Sequence, residues 1–125
     1  MEPPGFRKGR QYYDTAARPS HVTFDDGKQR KRNFPWGHYV EARWDYEEPE
    51  TIYVTIGDWL VVITGHNIDP LYTAIEDHSL TRVQAHPSFE GDPAHAADSF
   101  ATHIRFLRAP EPPKRGQTEF DLGLS

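Results

Sequence analysis

The stretch Thr51–Gly65, TIYVTIGDWLVVITG, decides how this chain can fold. Ile52, Val54 and Ile56 recur at every second residue, the period at which the side chains of a strand return to one face. Trp59, Val61 and Ile63 repeat the pattern beyond Gly57 and Asp58, a pair suited to a two-residue turn because glycine takes backbone conformations that other residues resist. The segment is therefore predicted to be a β-hairpin. Leu60 and Val62 make the alternate face of its second strand apolar as well. A strand apolar on both sides is normally central and covered twice, here by a helix or by another subunit.

Upstream, HYVEARWDY at residues 38–46 alternates Val40, Ala42, Trp44 and Tyr46 with Tyr39, Glu41, Arg43 and Asp45, which describes one buried and one wet face. HVTF, starting at His21, runs into Asp25, Asp26 and Gly27, a strand entering a tight turn. Downstream of Gly65 the period becomes helical. Asp69 is predicted to cap a helix with Pro70 at its first position, and Leu71, Ala74, Ile75 and His78 share one face, giving a helix over about 70–78. LTRVQAH, ending at His86, reads as a strand stopped by Pro87.

Residues 92–108, DPAHAADSFATHIRFLR, fit two templates. One is a helical stripe through Ala97, Phe100, Ala101, Ile104 and Leu107; the other is a strand placing Phe100, Thr102, Ile104 and Phe106 on one face. The β-branched and aromatic residues favour a helical turn near 93–98 followed by a strand. The expected fold is α+β: one small antiparallel sheet of five or six strands built from hairpins, with the short helix (about 70–78) between the fourth and fifth strands and packed on one face.

The 125 residues suit a single domain, yet only 36% are apolar and there are 11 Pro and 9 Gly, so part of the chain is expected to lie outside the packed core. Residues 1–20 read as a flexible basic N-terminal arm, 21–108 as the domain, and 109–125 as a flexible Pro- and Gly-containing tail. Charge divides the same way: residues 1–33 hold eight Lys/Arg against four Asp/Glu, and the remainder hold six against fifteen. An acidic body of that size argues against general polyanion binding. No apolar run approaches the roughly 20 residues of a membrane-spanning helix, and MEPPGFRKGR lacks a signal-peptide core, so a cytoplasmic protein without a membrane partner is expected. With no cysteine there are no disulfides, thiolate nucleophiles or Cys-bound zinc.

His66, Asn67 and Asp69 lie at a strand-to-helix loop, where unpaired helix N–H groups can hold an anion, and His38 shares the inward parity of Val40. These four are the candidate ligand-binding residues. Asp69 as its own helix cap, and the lack of further glycines, favour reading His66 as turn punctuation. His86, Asp92, His95 and His103 are weak metal candidates, because none stands at the i, i+4 spacing that presents two ligands from one helix. No metal or other cofactor is expected. No serine stands in a G-x-S-x-G context, and the carboxylates of DYEEPE (45–50) read as a solvated loop. Lys28, Arg30, Lys31 and Arg32 with Phe34 and Trp36 combine cations and flat rings as a nucleic-acid-binding surface does; alternatively the rings enter the core. The alternating tail residues Phe120, Leu122 and Leu124 suit addition to a partner's sheet edge.

Taken alone, the sequence reads first as a non-enzymatic protein-interaction or self-assembly module, its basic and acidic segments and its doubly apolar strand favouring a homo-oligomer. The alternatives are a nucleic-acid-binding protein using residues 28–36, and a small-molecule or metal-dependent enzyme with a histidine-containing site.

Overall fold

In the computed structural model, which describes residues 9–109, the Thr51–Gly65 hairpin forms as its alternation requires. Strand β5 (Thr51–Ile56) pairs antiparallel with β6 (Trp59–His66), opposing Ile52 to Ile63, Val54 to Val61 and Ile56 to Trp59. Gly57 takes the positive φ, 59°, that the tight turn needs. The remaining strands are β1 (Tyr13–Thr15), β2 (His21–Asp25), β3 (Lys31–Pro35), β4 (Tyr39–Arg43), β7 (Leu80–Gln84) and β8 (Phe100–Arg108); helix α1 spans Asp69–Glu76.

These strands form two four-stranded sheets where one of five or six was expected, ordered β1-β7-β2-β3 and β4-β5-β6-β8. All pairs within them are antiparallel except β2 with β7, which is parallel. Both sheets and α1 contribute to one core that includes Val22, Phe24, Val54, Ile63, Leu71 and Val83. Each fully buried aliphatic or aromatic side chain there contributes about 1.5–3 kcal/mol. A lone sheet would have left one apolar face wet, and the second sheet covers it. The helix falls between β6 and β7 and packs against β4 and β7. Val62 on the outward face of β6 is only 4% exposed, between Tyr53 and Arg105 of the adjoining strands.

Two strands were invisible to the two-residue period. In β3 the inward positions are Arg32 and Phe34, and Arg32 reaches an apolar environment by laying its guanidinium 3.9 Å from the Trp59 ring centroid. Strand β1 lies within the segment assigned to a flexible arm: Tyr13 pairs with Val83, Tyr12 N–H donates to Ser99 O, and Ser99 N–H donates to Arg10 O at 2.7 Å. Residues 1–8 and the predicted tail, including Phe120, Leu122 and Leu124, lie outside the described residues.

Strand β4 departs from its expected faces. Its register against β5 shifts between Tyr39 and Glu41, a bulge that reverses side-chain parity, so Tyr39 and Ala42 turn inward while Val40 is 64% exposed. Helix α1 is shorter than predicted. Ile68 occupies the cap position with no side-chain cap bond, and Asp69 sits in the first turn without capping it. At the other end Ser79 N–H reaches Ala74 O and His78 N–H reaches Ile75 O, the Schellman arrangement, with His78 left-handed at φ 60°. His78 thus ends the helix, its ring stacked on Trp36 at 4.5 Å.

Residues 92–108 follow the mixed reading. Pro93–His95 make one 3-10 turn, capped by Asp92 accepting from Ala94 N–H at 2.9 Å, and β8 begins at Phe100.

Candidate functional site

His66 ends β6 and Phe100 begins β8, and the connection 86–98 folds over this end of the second sheet. A second bulge shapes the wall. The β6–β8 register skips Thr102, whose hydroxyl donates to Thr64 O at 3.1 Å and so satisfies a carbonyl that the ladder leaves open. Gly65 lies opposite Ala101, with its N–H donating to Glu50 O at 2.8 Å, which draws the β4–β5 loop to the rim.

Above that wall the rings of His86, Phe89 and His95 form a stack. Phe89 lies 4.6 Å from His86 and 3.7 Å from His95, both nearly parallel to it. Two imidazoles at those distances would collide on one face, so Phe89 is sandwiched between them. Tyr12 meets all three rings edge-on, at 5.7, 5.0 and 5.7 Å, and Phe100 closes the cluster 5.3 Å from Phe89. Such aromatic pairs contribute about 0.5–1.5 kcal/mol each beyond their burial. Burial, and secondarily the neighbouring His95, pull the His86 pKa below its ordinary value. A depressed histidine favours the folded state while neutral and opposes it as falling pH forces the proton on.

His95 is held on its other side by Asp98. Its Nδ1 donates to Asp98 Oδ2 at 2.8 Å, and the Asp98 side chain is fully buried. The second carboxylate oxygen accepts from Arg10 N–H at 2.9 Å, and Asn67 Nδ2 donates to the Asp98 carbonyl at 3.0 Å. A carboxylate only accepts, so in the neutral imidazole the proton sits on Nδ1 and Nε2 carries a bare lone pair. His66 is fixed in the opposite sense: its Nε2 donates to Ala96 O at 2.7 Å, leaving Nδ1 bare. Among the described residues neither free nitrogen has a hydrogen-bond partner; His66 is an exposed residue and the His95 side chain is one-fifth exposed.

Both imidazoles line one cleft of about 470 Å³. Phe89 and Phe100 form its apolar part, its lining carboxylates are Glu50, Glu90 and Asp92, and among the described residues no Lys or Arg lines it. The arrangement combines hydrogen-bond acceptors of fixed direction, an aromatic surface, and one imidazole backed by a buried carboxylate, the pairing that orients a histidine for proton transfer.

Of the four expected ligand-binding residues, only His66 lines this cleft. Asn67, left-handed at φ 51°, anchors the 96–98 backbone from outside it, and Asp69 borders a separate depression with Asn67 and Arg10. His38 is exposed in the Trp36–His38 turn. The metal candidates do not assemble: Phe89 separates His86 from His95, Asp92 caps a turn, His103 is exposed beside Thr102, and among the described residues no three His, Asp or Glu side chains are placed to hold an ion. In the basic stretch, Phe34 and Trp36 are buried, Trp36 donating its indole N–H to Leu80 O at 3.0 Å, so neither ring is offered to a base. Arg32 is spent on Trp59, while Lys28, Arg30 and Lys31 remain on the surface of the β2–β3 turn. Among the described residues no helix is long and apolar enough to cross a membrane.

Asp98 and Phe89 were not singled out by sequence, Phe100 was read only as part of a helix or strand face, and Glu50 only as a solvated loop carboxylate. His95-x-x-Asp98, three residues apart in a turn predicted at 93–98, was the available signal for the first of them.

Comparison with protein-family models, with curated proteins and with solved structures finds no match to this chain.

Proposed function

We propose that the protein binds a small polar ligand in the His66–His95 cleft and that His95, oriented by Asp98, is the group that exchanges a proton with it. The observation that carries this reading is the coincidence, in one cleft, of two imidazoles whose hydrogen bonds fix which nitrogen stays free. Packing alone has no use for an open lone pair beside a buried carboxylate. A cytoplasmic setting goes with this proposal.

The test is a fragment screen against the full chain, read through the histidine ring signals by NMR. Fragments of at least one chemical class are expected to shift the His66 and His95 signals saturably, leave His38 and His103 in place, and lose the effect in His95→Gln. Shifts spread over all seven histidines, or none at any fragment, would overturn the reading.

A second reading keeps the protein-interaction or self-assembly role, and a different surface supports it. On the outward face of the second sheet Leu60 opposes Leu107, which is 41% exposed, and Val40 stands 64% exposed at the β4 bulge. Thr55 and Glu41 separate Val40 from the Leu60–Leu107 pair, and it is that pair that suits a second copy of the chain. Light scattering at micromolar protein is expected to give a dimer that Leu107→Glu dissociates; a monomer of about 14 kDa at low and high salt alike ends this reading.

A further inference from the structure

We infer that the ligand of the cleft is an organic cation bearing N–H donors, an alkylguanidinium or alkylammonium group. The inference rests on the cleft reading above and adds the chemical class. Both free imidazole nitrogens, His66 Nδ1 and His95 Nε2, are acceptors when neutral, because each ring's proton is committed to a protein oxygen. A ligand that presents lone pairs meets lone pairs there; a ligand that presents N–H groups meets acceptors whose direction is already set. Guanidinium has five donors in a planar fork, and an alkylammonium has three.

Charge points the same way. Glu50, Glu90 and Asp92 line the cleft, and among the described residues no cationic side chain lines it to offset them. Asp92 spends one oxygen on the Ala94 N–H, leaving the other available. Among the described residues, Arg10 and Arg82 are committed elsewhere: Arg10 lies 4.9 Å over the Tyr12 ring and Arg82 bonds Asp25 at 3.2 Å. The faces of Phe89 are taken by the two histidines, so the ligand's alkyl stem has the Phe100 side of the cleft to lie against, with its charged head toward the rim.

The experiment titrates the full chain with n-butylguanidinium, n-butylammonium, n-butanol and n-butyrate, reading the His66 and His95 ring signals at low ionic strength and a pH at which both rings are neutral. The two cations are expected to bind at least tenfold more tightly than butanol, with butyrate weaker still, and to weaken as salt is added. Glu50→Gln combined with Glu90→Gln, both at exposed positions, is expected to weaken butylguanidinium about tenfold and leave butanol unchanged. Butyrate or butanol binding as tightly as the cations, or a double variant that binds butylguanidinium like the parent, overturns the cation assignment while the cleft stands. If neither these probes nor any screened fragment moves the two rings, the cleft reading itself fails. A blocked Gly-Arg-Gly peptide forms the last arm: binding at least as tight as butylguanidinium assigns the cation to an arginine side chain of a partner, and weaker binding assigns it to a free small molecule.

Discussion

Gly65→Ala is expected to cost about 3 kcal/mol of stability, at the upper end of what overpacking a single methyl usually does. A Cβ built on Gly65 falls well inside contact with the Phe100 carbonyl oxygen, and lies 2.8 Å from Ile68 Cγ2 and 3.1 Å from Ala101 Cα. Two of the three obstacles are backbone. The β8 backbone cannot recede, because Ala101 O also accepts from His86 N–H and Ala101 bridges Ala85, so the strand ties the two sheets together at this point. Gly65 itself is held by Glu50 O. Gly37→Ala is the control: nothing lies within 4 Å of a Cβ there, and its cost is expected to stay within about 0.5 kcal/mol. Denaturant midpoints of the two variants decide. If Gly65→Ala unfolds at the parent's midpoint, the close approach of β6 to β8 that forms the cleft wall is wrong.

The hairpin was legible because a period of two over eleven residues and a turn glycine pointed to the same structure, and both hold. The division into two sheets was not, since it depends on which strands pair, and alternation reports only that a strand has an inside. Arg32 shows how a strand hides: a charged residue at an inward position breaks the pattern unless a ring such as Trp59 is there to receive it, and that ring lies 27 residues away in sequence. Val40 shows the converse, an apolar residue turned out by a bulge that no local signal announced.

The site was partly legible for a related reason. His66 could be singled out from its place between strand and helix, but its partner, the Ala96 carbonyl, carries no sequence signature at all. His95 and Asp98 are three residues apart, yet what sets their pairing apart is the burial of the carboxylate beneath the N-terminal segment. That burial arises because Arg10–Thr15 run against Ser99 and β7, contacts that cross more than 60 residues of chain. Composition had marked this segment as loose, and its tyrosines are what fix it.

Asp98→Ala should be the most damaging single change near the cleft, lowering stability by about 3–4 kcal/mol. The carboxylate is fully buried and accepts from the His95 ring and from Arg10 N–H. Removing it strips both donors of their acceptor and leaves a small void, and breaking a buried charged hydrogen bond by deleting one side costs several kcal/mol. The backbone bond from Asn67 survives in the variant, because it uses the Asp98 carbonyl, so the turn is loosened without being released. Asp98→Asn separates stability from chemistry. Its amide oxygen can still accept one of these donors, so a smaller loss is expected, and the molecule stays folded. The amide can also swing its NH2 toward His95, which would move the ring proton to Nε2 and fill the lone pair there. Two-bond nitrogen–proton NMR correlations of the histidine rings read the tautomer directly. Proton residence on Nδ1 in the parent and on Nε2 or both nitrogens in Asp98→Asn is the expected result. An Asp98→Ala variant that unfolds at the parent's midpoint, with His95 still protonated at Nδ1, would show that the carboxylate neither braces the N-terminal segment nor sets the imidazole.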